Sequence, residues 1–241
     1  MKDVERVPRY ERSFSALPDR PNSSIRLLLA RHGLTDWNIE RRYQGQTDVP
    51  LNETGRRQAH ALARRLAGEE IDAIYASDLR RAWETAQYIA GRHTCPLQPD
   101  PRLREMCFGV WEGLTYDEIS RMYPEALAAW VASPDSPPPG GEPLGQVVQR
   151  VDEMLAALRK THRRQTVVLV AHGGLLQVLL CTALEFPPLA RWKFRLDTAS
   201  LSELYLYDDG AILTSLNDRH HLLDMGRSRA APERDADPSA G

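Results

Sequence analysis

The chain has 241 residues, in which 31 Lys and Arg nearly balance 33 Asp and Glu, for a formal net charge of -2. That length holds one large domain with a core of its own, the balance lacks the basic excess of a nucleic-acid binder, and no apolar run approaches the roughly 18 residues of a membrane span. Three cysteines, Cys95, Cys107 and Cys181, without paired spacing, argue against a disulfide framework or a four-cysteine zinc site and for a reducing, cytoplasmic setting.

Residues 1–24 are polar, carry Pro8, Pro18 and Pro21 and show no period. They read as a loose arm, too charged for a secretory signal. Ile25 to Ala30 is a short continuous apolar run, the pattern of a strand covered on both faces. Thr54 to Leu66 puts Ala59, Leu62, Ala63 and Leu66 on one helical face, with arginines opposite. Ile71 to Ala76 is a second strand candidate, and Leu79 to Ala90 returns to the helical period. From Gly109 to Gly141 a mostly helical pattern ends in Pro137-Pro138-Pro139-Gly140-Gly141, which reads as an insertion over the sheet closed by a rigid turn. A helix over Gly145 to Arg159 and the strongest strand, Thr166 to Ala171, come next. Ser200 to Tyr207, the turn Asp208-Asp209-Gly210 and Ala211 to Leu216 form a hairpin, which adds antiparallel strands near one edge. The predicted fold is α/β: a mixed, mostly parallel sheet flanked by helices on both faces. One domain is expected over 25–224, with a helical lid insertion at about 109–144 and a disordered tail over 225–241.

Two of these strands end alike. Ala30 is followed by Arg31-His32-Gly33, and Ala171 by His172-Gly173-Gly174. Ligands of open α/β sheets bind at that carboxyl edge, so neighbouring strands would bring both imidazoles to one crevice. A single histidine there is readily a satisfied strand-end residue; the repetition favours a site. Arg31 adjoins the first histidine, and Arg80 and Arg81 open a helix after the second strand. Guanidinium groups match phosphate oxygens, and helix starts offer unpaired N–H groups, although a solvated helix face also explains one of the two. Two arginines and two imidazoles can neutralise a phosphoryl group while a neutral imidazole attacks it. An acid for the leaving oxygen is still needed. Glu105, ahead of Cys107-Phe108-Gly109, is the best-placed carboxyl, and spacing alone leaves it equally readable as a surface residue.

Arg31-His32-Gly33, Thr35, Asn38, Gln44-Gly45, Asp48 to Asn52, Thr54-Gly55 and Gln58-Ala59 resemble the opening of the histidine phosphatase, or phosphoglycerate mutase-like, superfamily. The similarity runs on through Tyr75 to Ala82, Leu103 to Glu105, Trp111-Glu112-Gly113 and Val170 to Gly174, covering about residues 25 to 220 in order. The resemblance implies that His32 is the phosphorylated nucleophile, that Arg31, Arg81 and His172 complete the phosphate pocket, and that Glu105 donates the proton. It further implies that Asn38, Gln44, Gly45 and Gly173 line the phosphate or substrate, and that no metal and no cofactor is used.

A mutase of this family carries an Arg-Arg-aromatic segment after its acid; here Tyr116 to Ala126 and Pro137 to Glu142 stand instead. That is similar to the phosphatase branch, among α-ribazole and broad-specificity phosphatases. The expected activity is hydrolysis of a small phosphorylated metabolite, with a cofactor-dependent mutase and a non-catalytic phosphate binder as alternatives. A metal-dependent hydrolase finds no His-Glu-x-x-His and no cysteine pairing. The expected partners are the phosphorylated substrate and a second copy of the chain, not nucleic acid or membrane. Met106, Tyr116, Met122, Tyr123 and Trp130 read as core rather than lid contacts.

Overall fold

The computed structural model describes residues 24–133 and 136–226. Apart from Ser24 and residues 225–226, the arm expected over 1–24 and the tail expected over 225–241 lie outside the described residues. The sheet has six strands in the order β3-β2-β4-β1-β5-β6: β1 (Ile25–Arg31), β2 (Ala73–Ala76), β3 (Leu97–Pro99), β4 (Thr166–Ala171), β5 (Leu201–Tyr207) and β6 (Gly210–Asp218). Strands β3, β2, β4 and β1 run parallel, and β5 and β6 close the β1 edge antiparallel. The mostly parallel mixed sheet and the late hairpin read from the sequence are both present.

The unbroken apolar runs are explained by burial on two sides. Leu28, Ala30, Ile74, Ala76, Val168 and Val170 pack in one cluster with α2 (Glu53–Leu66) and α3 (Arg80–Ala90). Leu27, Leu29, Val167 and Leu169 pack in the other with α6 (Leu144–Thr161) and α7 (Gly173–Ala183). Alternate residues of one strand therefore feed opposite layers, as the pleat requires. Helix α2 starts where Asn52 accepts from Gly55 N at 2.8 Å, and it buries Ala59, Leu62, Ala63 and Leu66 as its period predicts.

The remaining helices are α1 (Asp36–Ile39), α4 (Tyr116–Met122) and α5 (Pro124–Ala132). The stretch from Gly109 joins the core through Trp111, Ile119, Leu127 and Trp130. Met106 and Trp130 are buried as expected, whereas Tyr116 and Met122 are 53% and 58% exposed and do not belong to the core. Helix α4 buries Ile119 at its middle, while Tyr116 and Met122 are its first and last residues, three positions to either side, and stay exposed at its ends. Strand β2 begins at Ala73 rather than Ile71, because Asp72 turns its carboxylate to accept from Thr166 N at 2.8 Å.

Leu169 is fully buried at the centre of β4. Leu169→Ala should cost about 3 kcal/mol of unfolding free energy, read from urea denaturation as a lower midpoint at unchanged slope.

Candidate active site

The parallel register of β1 and β4 sets Arg31 opposite Ala171, so the residue after each strand reaches the same edge. His32 N donates to Ala171 O (3.0 Å) and Ala199 N donates to His32 O (3.0 Å), fixing the backbone from β4 on one side and from the turn ahead of β5 on the other. The two imidazoles then stand with ring centroids 5.2 Å apart. His32 is 3% exposed and His172 is fully buried.

Their hydrogen bonds decide which nitrogen is reactive. His32 Nδ1 lies 2.7 Å from Gly33 O. A carbonyl only accepts, so Nδ1 carries the proton and Nε2 keeps its lone pair. In His172, Nδ1 accepts from Arg81 Nε (3.2 Å), so Nε2 carries the proton and donates to Ser77 Oγ (2.8 Å). Burial, then the positive fields of Arg81 and Arg31, hold His32 well below the ordinary imidazole value of 6.5. His172 is pushed down in the same way, by burial first and then by Arg81, His32 and Arg31.

Arg81 is fully buried, while its neighbour Arg80 is exposed on the helix surface. Besides His172, Arg81 donates to Thr47 O (NH1, 2.8 Å) and Gly45 O (NH2, 2.7 Å). Burial draws it down to about 10, which leaves it a cation at neutral pH. Arg31 NH1 donates to Leu196 O at 2.6 Å, and its Nε is buried without a hydrogen-bond partner. Such a donor is an open anion contact.

Glu105 joins these groups at the start of α7. Its Oε2 accepts from Gly174 N (3.0 Å), and Oε1 accepts from Leu175 N (2.9 Å) and Met106 N (3.0 Å). The glycines make room: a Cβ at 174 would lie 2.7 Å from Glu105 Oε1, and one at 173 would lie 3.2 Å from Arg31 Cζ. Gly173 opens α7, where N–H groups lack intrahelical partners. Gln44 is buried with Oε1 unpartnered. Asn38 Oδ1 accepts from Thr35 N and Oγ1 (3.1 and 3.0 Å), which leaves its NH₂ as the donor end. Among the described residues, no group of three or more His, Cys, Asp or Glu is arranged to hold a metal ion.

Several supports escaped the sequence reading. Ser77 takes up the Nε2–H of His172 and holds the ring in place. Arg150 donates to the carbonyls of Arg102 and Arg104 (2.6 and 2.7 Å) and to Glu105 O (3.3 Å), while Glu142 accepts from it at 2.8 Å. The Leu196 carbonyl carries no side-chain signal that could have marked it. Glu142 had one: it follows the Pro-Gly-Gly turn and lies eight residues, about two helical turns, before an arginine.

The chain matches the family model described as Histidine phosphatase superfamily (branch 1) over residues 27–219. It is 36% identical over 199 residues to Phosphoserine phosphatase 1 of Hydrogenobacter thermophilus, covering 82% of this chain and 94% of that one. The mycobacterial glucosyl-3-phosphoglycerate phosphatase solved with VO3 superposes with a TM-score of 0.74 at 35% identity, over 80% of this chain and 99% of that one. The alpha-ribazole phosphatase of Shigella flexneri gives 0.74 at 31% identity, over 80% and 96%. Among the described residues no helix is long and apolar enough to cross a membrane.

Both imidazoles stay neutral in the fold, whereas the unfolded chain protonates them near 6.5. Unfolding therefore takes up protons below that pH, and stability falls as the pH drops. Between about pH 7.5 and 5.5 the loss from the pair should be about 3 kcal/mol, read by urea denaturation at both values, and His172→Gln should remove about half of it.

Proposed function

Because the chain belongs to the histidine phosphatase superfamily, we propose that it is a metal-independent phosphomonoester hydrolase working through a phosphohistidine on His32. The observation that carries this reading is the Nδ1–H of His32 donated to Gly33 O, which leaves Nε2 with its lone pair in the field of the Arg81 and Arg31 guanidinium groups. In this reading Arg31, Arg81 and His172 hold the phosphoryl oxygens, and Nε2 attacks phosphorus in line. The P–O ester bond breaks as Glu105 gives its proton to the leaving oxygen. Glu105 then takes a proton from water, whose oxygen attacks phosphorus. The P–N bond breaks, and phosphate leaves a neutral imidazole with Nδ1–H still on Gly33 O.

Asn38, Gln44, Gly45 and Gly173 line the phosphoryl group or the substrate body in this proposal, with residues 25–224 as the catalytic domain and the 109–144 segment as its lid. The substrate is a small phosphorylated metabolite of the sugar phosphate, phosphoglycerate or α-ribazole phosphate class. A cytoplasmic location is supported by the free thiols of Cys95, Cys107 and Cys181, and the homodimer is a matter for mass measurement in solution. Near-balanced charge supports the exclusion of nucleic acid.

His32→Ala should lose at least about 10³-fold in turnover of an aryl phosphate and give no acid-quenched phosphoenzyme, with activity of the parent unchanged in chelator. Retained turnover would remove His32 as nucleophile. Glu105→Gln should cost on the order of 10²-fold with a poor alkyl leaving group and far less with a nitrophenolate, which needs no proton. Equal losses on the two would count against the acid role. A screen across phosphoserine, phosphoglycerates, sugar phosphates and α-ribazole phosphate, with a mutase assay beside it, sets the substrate.

A further inference from the structure

Glu112, just inside the Gly109 segment, has no part in the reaction as proposed, yet its carboxylate is committed on every side. Oε1 accepts from Gln46 N (3.0 Å) and Phe108 N (3.0 Å). Oε2 accepts from Thr47 N (2.9 Å) and from the Thr47 hydroxyl. Gly45 stands at φ +51, and a Cβ there would lie 2.0 Å from Glu112 Oε1. The 45–47 loop can wrap this carboxylate only with glycine at its start.

Gly45 and Thr47 turn their carbonyls the other way. Gly45 O and Thr47 O are the acceptors that orient Arg81. One loop is thus held by a carboxylate through its N–H groups and holds a buried guanidinium through its C=O groups. The next residue continues the pattern: Asp48 Oδ1 accepts from Arg80 N (2.7 Å), the start of a helix whose N-cap, Leu79, has no side-chain cap. Gln46 Nε2 also donates to Glu105 O at 3.2 Å, so the loop touches the main chain of the acid as well.

We propose that Glu112 is a positioning residue for phosphoryl binding: by ordering residues 45–47 it sets the guanidinium plane of Arg81. The inference rests on the phosphatase reading above. Displacing an oriented group by about 1 Å costs up to about 10²-fold in rate, and among the described residues Arg81 has no other carbonyl partner to keep its plane if the loop moves. Its third acceptor, His172 Nδ1, fixes one edge only.

Glu112→Ala removes all four acceptor contacts, and Glu112→Gln keeps the shape while offering one acceptor oxygen to four donors. KM for an aryl phosphate and the inhibition constants of phosphate and vanadate should rise on the order of 10-fold in Glu112→Ala and less in Glu112→Gln, with kcat falling as well. The loss should be equal for good and poor leaving groups, since Arg81 holds the phosphoryl group and not the ester oxygen. Amide exchange at Gln46 and Thr47 should quicken in both variants. A merely structural role would lower melting temperature and active fraction, hence kcat, and leave KM and the inhibition constants unmoved; that result overturns the proposal, and Glu112→Gln delivers it even if the alanine variant fails to fold. A parent enzyme with neither turnover nor phosphate inhibition would overturn the phosphatase reading and this inference together.

Discussion

A guanidinium with no solvent exposure is the constraint around which this molecule is organised. Taking the Arg81 cation out of water costs several kcal/mol unless directed acceptors replace its hydration, and here they are Gly45 O, Thr47 O and His172 Nδ1. Each acceptor has a consequence elsewhere. The third fixes the His172 tautomer and thereby the bond to Ser77 at the end of β2. The first two fix the loop that follows Gln44. The main chain of Arg81 is tied as well: Thr85 Oγ1 donates to Arg81 O and accepts from Gly33 N, joining α3 to the turn that carries His32. One buried charge therefore links β1, β2, β4, α3 and the 45–47 loop.

Charge arithmetic explains why such a pocket suits a dianion. Two guanidinium groups stand beside two imidazoles that burial and those same cations keep neutral. Glu105 borders the same pocket, its carboxyl group held by three backbone N–H groups. The unpartnered Nε of Arg31 and the low proton affinity of both imidazoles are costs in the free protein. An anion held there relieves the first and neutralises the field that adds to burial in producing the second. That local cost keeps the His32 imidazole unprotonated at neutral pH.

How much of this was legible beforehand depends on whether a feature had a period or a motif. Strands β1 and β4 were readable because burial on both faces leaves an unbroken apolar run, and α2 because one face alone is buried. Strand β3 was not, since three residues with Leu97 half-buried and Gln98 and Pro99 exposed give no pattern. The repeated strand-His-Gly setting exposed His32 and His172, and the parallel register then did what the sequence could only suppose. Separating Arg81 from Arg80 needed the family resemblance, because adjacent arginines at a helix start look alike until the turn of the helix buries one. Tyr116 and Met122 were misread as core: they are the first and last residues of a seven-residue helix and stay exposed, although Ile119 between them is buried. The supports at Glu112, Arg150 and Leu196 act through main-chain groups, which residue identity does not reveal.

The supports also separate two kinds of specificity. Arg150, paired with Glu142, holds the carbonyls of the segment that leads into Glu105, so the Pro-Gly-Gly-Glu turn supports the position of that carboxyl group. The groups proposed to meet the phosphoryl oxygens are buried and fixed by strand ends and a helix start. By contrast, Tyr116, Met122 and Val131 lie exposed on α4 and α5, where substitution leaves that framework intact. Solved relatives named for glucosyl-3-phosphoglycerate and α-ribazole phosphatase activity superpose on this chain equally well, each with a TM-score of 0.74. A shared backbone with different named substrates means that the fold alone does not set what is attached to the phosphate.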